Sequence, residues 1–185
     1  RQMCIRDSYN VVTNAWHYAA LKQMEGIAGA LGKQDDVAFY ASESDAFKKR
    51  FIRLFFDVRK GYFTDGLAAD TDHASLHGNM FPLAFDLVPA GKKQNVVDFI
   101  QTRGMACSVY GSQFLMDALY EANDAEYALH ILTKTDDRSW YNMIRVGSTI
   151  SLEAWDNKYK PNQDWNHAWG AAPANIIPRR LMGVE

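Results

Sequence analysis

The chain has 185 residues, 48% hydrophobic and 13% aromatic, which is about one domain by length with enough apolar side chain for an ordinary globular core. Its formal charge of -2, from 20 basic and 22 acidic residues spread along the chain, supplies no basic stripe for nucleic acid and no charged tail. Cys4 and Cys107 are the only cysteines and no apolar run reaches membrane-spanning length, so a disulfide framework, a cysteine metal site and a membrane span all lack support.

Residues 1–8, RQMCIRDS, share no periodicity with the rest of the chain and lack the layout of a signal peptide; they read as a non-native leader. The fold is therefore expected to start at Tyr9. The end at Gly183-Val184-Glu185 comes just past a helix C-cap glycine and reads as a second cut. Nothing in the sequence gives an address, so the compartment is open.

Apolar residues from Ala15 to Leu31 recur at three- and four-residue steps and predict a first helix, with Asn14 as N-cap and Gly32 as C-cap. A second helix is expected from Asp35 to Phe56, with Phe39, Phe47, Phe51, Leu54 and Phe55 inward and Lys48, Lys49 and Arg50 on a solvated face. Gly61, Asp65-Gly66 and the cluster Asp70-Thr71-Asp72 then predict a long loop over 57–72. Helix three is expected over His73–Leu87 with a bend near Pro82, helix four over Lys92–Thr102, helix five over Gly111–Ala122 and helix six over Ala125–Thr133. A short helix over Trp140–Arg145 precedes a loop over Gly147–Asn166. The last helix is expected from Asn166 or His167 to Gly183, interrupted at Pro173 or Pro178, and only Ser148–Leu152 has strand character.

Helices one, three, five and the last carry small or mixed residues nearly all round, whereas two, four and six are amphipathic. Inner helices of a double ring are buried on both sides and outer ones keep a wet face. The alternation predicts an all-α chain of stacked hairpins, an (α/α)6 toroid of which residues 9–185 hold little more than half. No fixed-period repeat is present, which disfavours a superhelical solenoid.

The chemistry concentrates between Gly147 and Gly183, where one carboxylate, Glu153, sits among Trp155, Trp165, His167 and Trp169. Aromatic rings pack on the apolar C–H faces of a pyranose, and a carboxylate takes the proton of an attacking water as a glycosidic bond breaks. His73 and His77 lie four apart after Asp70 and Asp72, but no Glu adjoins the first His and a third ligand is missing, so a metal site is not expected. A place for His77 at a pocket rim fits better. Tyr110, opening helix five, reaches the pocket by the same topology. Phosphate-cradling glycine loops, a Gly-x-Ser-x-Gly elbow and Cys/His pairing at nucleophile spacing are absent, and no cofactor is expected.

An ordered series of segments carries a family resemblance. It runs through Ala19-Ala20-Leu21, Phe85-Asp86-Leu87-Val88-Pro89, Tyr110-Gly111-Ser112, Ser139-Trp140-Tyr141, Gly147-Ser148-Thr149 with Glu153 and Trp155, and Asn166-His167-Ala168. From about Tyr9 to Gly183 the chain resembles the catalytic domain of bacterial α-L-rhamnosidases, glycoside hydrolase family 78, inverting enzymes on six inner and six outer helices. The resemblance implies that Glu153 is the general base and that His167 contributes to the same pocket. It also implies a general acid upstream of this chain, so that the piece holds half of a catalytic pair, is inactive alone and has the remaining N-terminal part of the same protein as its partner. Ile150-Ser151-Leu152 departs from the Thr-aromatic version of the family, which leaves sugar and aglycone preference open. The expected ligand is a rhamnoside, bound by His167, Trp155, Trp165, His77 and Tyr110; secreted or periplasmic placement is implied, with the cytoplasm also open. Two other readings stand beside this one: another inverting (α/α)6 glycosidase, and a helical carbohydrate-binding module without chemistry.

Overall fold

A computed structural model describes residues 9–184; the segment read as a leader, residues 1–8, lies outside the described residues, as does Glu185. The chain divides into two compact units, one up to Val96 and one from Val97.

In the first unit, α1 (Val11–Ala30) and α2 (Gln34–Phe55) form a helical hairpin. The N-cap of α1 is Asn10 rather than the expected Asn14: its Oδ1 accepts from the Thr13 N–H at 3.0 Å, and Asn14 lies inside the helix, donating to the Asn10 carbonyl. The turn after α1 is as expected. Gly32 has φ +70°, its N–H donates to the Gly29 carbonyl and the Lys33 N–H to the Ala28 carbonyl, the paired bonds of a Schellman close. Phe51 and Phe55 are buried, while Phe47 and Leu54 are only half-buried. Phe39, expected inward, is 57% exposed; it lies in the part of α2 before Ser44, where no residue is buried, and its ring meets that of Tyr40.

The expected loop over 57–72 contains the one sheet among the described residues. β1 (Phe56–Asp57) pairs antiparallel with β2 (Tyr62–Phe63), Phe56 opposite Phe63. The Asp57 carboxylate accepts from the Arg59 and Lys60 N–H groups, which shapes the turn that Gly61, at φ +81°, closes. The side chain of Asn79, fully buried, bonds both the N–H and the carbonyl of Phe63 and so pins β2 to α3.

α3 spans His77–Ala84; it ends before the expected Leu87 and starts later than the expected His73. The Asp65 carboxylate explains the late start: it accepts from His73 Nδ1 at 2.6 Å, from the Ser75 N–H at 2.9 Å and from Ser75 Oγ at 2.8 Å, holding residues 73–75 out of the helix. A cluster of three His, Cys, Asp or Glu side chains able to hold a metal is absent among the described residues.

α4 (Lys93–Gln101) buries Val96, Val97, Phe99 and Ile100 and leaves Asp98 wet, the amphipathic pattern expected of it. The second unit continues with α5 (Val109–Glu121), α6 (Ala125–Thr133) and α7 (Trp140–Arg145). Ser108 and Ser139 cap α5 and α7 through their hydroxyls. The expected final helix is three short pieces: a 3-10 turn over Ala168–Ala171, α8 (Ala172–Ile176) and a π-helical turn over Ile177–Leu181. Pro173 sits at the start of α8, where its missing N–H costs nothing, and Pro178 at the start of the π turn. Only Gly170, Ala172 and Ile176 are buried there, so within the described residues this segment lacks the two-sided burial expected of it. No strand forms over 148–152, because Ser148 Oγ turns the chain locally, donating to the Ile150 carbonyl.

Candidate active site

Residues 151–154 and 163–167 run back along each other as two irregular limbs of one loop. The His167 N–H donates to the Ser151 carbonyl (3.0 Å), Ser151 Oγ to the His167 carbonyl (2.8 Å) and the Glu153 N–H to the Asp164 carbonyl (3.1 Å). Buried Gln163 completes the crossing, its Oε1 accepting from the Ala154 N–H at 2.9 Å and its Nε2 donating to Asn157. The loop is anchored underneath. Leu152 is fully buried, and buried Asn142 on α7 donates to the Trp155 carbonyl at 2.9 Å and to Asp156.

Gly170 fits against the first limb with almost no clearance. A Cβ there would lie 2.5 Å from Ser151 Cβ and 2.7 Å from the Leu152 carbonyl oxygen. The Gly170 carbonyl accepts from Trp140 Nε1 at 2.9 Å, so the contact is fixed from the other side as well.

Glu153 is half-buried, with Oε1 in an ion pair with Lys160 and Oε2 accepting from the Asp164 N–H at 3.1 Å. The Lys160 hydrogen bond first, then the Asp164 N–H, hold its carboxyl below the usual glutamate range, and the His167 ring adds to the same direction. A carboxylate offers about four lone-pair sites, so one bond at each oxygen leaves a site on each for water.

His167 caps the 3-10 turn with Nδ1, which accepts from the Trp169 N–H at 3.3 Å. That role assigns the proton of the neutral ring to Nε2, which is left to donate. The imidazole packs on Trp169 (4.3 Å between centroids) and Trp169 on Tyr110 (5.2 Å), forming an open aromatic cluster with Tyr110 46% and Trp169 48% exposed. Trp165, on the second limb, is 44% exposed.

Trp155 departs from the expected role. It is 3% exposed, its Nε1 donates to the Cys107 carbonyl at 2.8 Å and its ring meets Trp140 edge-on. Its polar handle is used inside the fold and little of its ring is open to a ligand. His77 belongs to the first unit, half-buried and near Phe81, where burial pulls its pKa below the ordinary imidazole value against the opposing charge of Asp65. The structure thus brings Glu153, His167, Tyr110 and Trp169 into one unit, with Trp165 on the same loop. Lys160 has no sequence signal beyond the turn-forming Pro161-Asn162 beside it.

The family profile described as bacterial alpha-L-rhamnosidase 6 hairpin glycosidase domain matches residues 4–181. Comparison with curated proteins gives no match. Among solved structures, the alpha-L-rhamnosidase from Dictyoglumus thermophilum matches with a TM-score of 0.75 at 21% identity, over 89% of this chain and 19% of that one. The alpha-L-rhamnosidase of Streptomyces avermitilis complexed with L-rhamnose gives 0.73 at 19% identity over 96% and 18%, and the rhamnosidase from Klebsiella oxytoca with rhamnose bound gives 0.72 at 16% identity over 94% and 34%. The chain spans about a fifth of the length of the first two. At these identities the likeness is one of fold, and the fold is the expected all-α six-hairpin one. With nearly its whole length inside the profile, the chain belongs to the bacterial alpha-L-rhamnosidase six-hairpin glycosidase domain family.

Proposed function

We propose that this chain supplies the base-bearing part of an inverting α-L-rhamnosidase, with Glu153 as the general base. The observation that carries the reading is the setting of Glu153: a carboxylate kept ionised by Lys160 and the Asp164 N–H, on a loop whose facing limb carries His167. Water bound at a remaining Glu153 lone pair attacks the anomeric carbon, passing its proton to the carboxylate as the glycosidic bond breaks on the opposite face. A general acid from outside residues 9–184 protonates the departing oxygen. His167 Nε2–H orients the water or a sugar hydroxyl, and Trp169 with Tyr110 offers apolar ring surface to the pyranose.

The test is hydrolysis of p-nitrophenyl α-L-rhamnoside by a full-length polypeptide carrying this segment, beside its Glu153→Gln variant. General-base catalysis predicts a loss on the order of 10²–10⁴-fold, with azide restoring turnover and giving a rhamnosyl azide of inverted configuration. Unchanged hydrolysis would remove Glu153 from the reaction. Activity on other aryl glycosides but not the rhamnoside would favour another inverting toroid glycosidase. Sugar binding without any hydrolysis would favour a binding module.

A further inference from the structure

The second unit carries a groove whose lining does not include Glu153. It is an open cleft of about 670 Å³ between residues 103–106 and 134–138, with Tyr159 at its edge. The volume suits a sugar-sized ligand. The carboxylates that line it are already matched: Asp136 pairs with Lys134 at 2.7 Å, and Asp137 pairs with Arg145 at 2.9 Å and with Lys158. Asp156, nearby, accepts from the Lys158 N–H.

Arg138 is different. Its guanidinium lies 4.8 Å from the Tyr159 ring centroid and Nη1 reaches the Met105 carbonyl at 3.5 Å, yet among the described residues no carboxylate forms an ion pair with it. The ring and the carbonyl hold the guanidinium at the cleft, with donors of the fork left for an anion. Arg103 lines the same cleft.

One loop joins this cleft to the candidate base. Lys158 holds Asp137, Tyr159 edges the cleft and Lys160 holds Glu153, three consecutive residues facing three partners. We propose that the cleft binds a carboxylate-bearing sugar unit, a hexuronate of the glycan whose neighbouring unit is presented to Glu153, with Arg138 as the bidentate partner of the carboxylate. The choice of a sugar acid over other anions rests on the glycan reading of the Glu153 loop; the geometry of the cleft does not.

The test is binding, which does not depend on turnover. Methyl glucuronide and methyl galacturonide are titrated into the Glu153→Gln chain, followed by calorimetry and by the Arg138 and Tyr159 NMR signals, with methyl galactoside, acetate and sulfate as comparison probes. Expected are saturable uronide binding that shifts both signals, at least tenfold loss in Arg138→Gln, a smaller loss in Arg138→Lys, and no binding of methyl galactoside. Equal binding of the galactoside, or uronide binding unaffected by Arg138→Gln, overturns the assignment. So does acetate or sulfate binding as tight as the uronides, which would make the cleft a plain anion site. Failure of rhamnoside hydrolysis leaves these outcomes untouched, so the two readings fail separately.

Discussion

Gly170→Ala is the sharpest test of how the loop is built. The added methyl would meet Ser151 Cβ at 2.5 Å, the Leu152 carbonyl oxygen at 2.7 Å and the Leu152 nitrogen at 3.1 Å. Two of these atoms are backbone and cannot rotate away. Retreat is blocked on one side by the full burial of Leu152 and by the bonds between Ser151 and His167, and on the other by the Trp140 bond to the Gly170 carbonyl. Overpacking of this kind costs about 1–3 kcal/mol, and the double anchorage argues for the upper part of that range. Gly170 does not have positive φ, so the whole cost is contact. Gly147→Ala is the matched control, because Gly147 has φ +96° and open space around its missing Cβ. Backbone strain there should cost about 1–2 kcal/mol without moving the limbs. Urea unfolding followed by tryptophan fluorescence gives both numbers, and the His167 ring NMR signals report the loop. A Gly170→Ala chain within about 0.5 kcal/mol of the parent, or one that shifts the His167 signals no more than Gly147→Ala does, would refute the argument.

Three further substitutions probe the same region. Lys160→Met removes the largest influence holding the Glu153 pKa down, so that pKa rises. A depressed carboxyl pKa contributes stability above its unfolded value that is lost as pH falls through the folded one, so the variant should lose this contribution and the acid limb of rhamnoside kcat/KM should move to higher pH; an unmoved limb would exclude Lys160 as the tuning group. Trp155→Phe leaves the buried Cys107 carbonyl without its donor and should destabilise by about 1–3 kcal/mol in the same urea titration, whereas an unchanged midpoint would mean that the bond contributes nothing net. Burial pushes the Cys107 thiol up to about 12, so in a Cys4→Ser chain Ellman's reagent at pH 8 should react only after urea unfolding, and prompt reaction of the folded chain would show an exposed thiol.

Much of the helical framework is legible because helical period and caps are local. The bounds of α6 and α7 fall where the pattern predicts them, and Gly32 closes α1 as its residue type requires. Errors arise where a side chain acts from a distance or two candidates compete. Asn10 and Asn14 are equally good caps in isolation, and only the structure shows Asn10 taking the Thr13 N–H. The late start of α3 depends on Asp65, eight residues before His73, a capture that no helical period records. At the candidate site, the order of the family segments puts Glu153 and His167 forward, and the structure sets them on facing limbs of one loop. Trp155 is not legible, because an irregular limb gives no two-residue alternation from which to read its direction. Lys160 is invisible in sequence for the same reason: its pairing depends on the path of residues 154–163, which Gln163 and Asn142 fix through buried side-chain bonds.

An inverting hydrolysis needs two carboxyl groups with pKa values pushed apart, one ionised to take a proton and one protonated to give it. The environments in this chain push in one direction only. Every carboxyl with a perturbed value among the described residues (Asp72, Asp86, Asp137, Glu153 and Asp156) is lowered, in each case through bonds to lysine ammonium groups, N–H donors or both. A raised value requires apolar burial without such donors, as in a hydrophobic pocket. The lowered value of Glu153 is the setting that the proposed base role asks for. Moving Lys160 away tests more than one ion pair, because a Glu153 left with the Asp164 N–H alone would move back toward the ordinary glutamate value and lose part of the bias that suits it to the proposed base role.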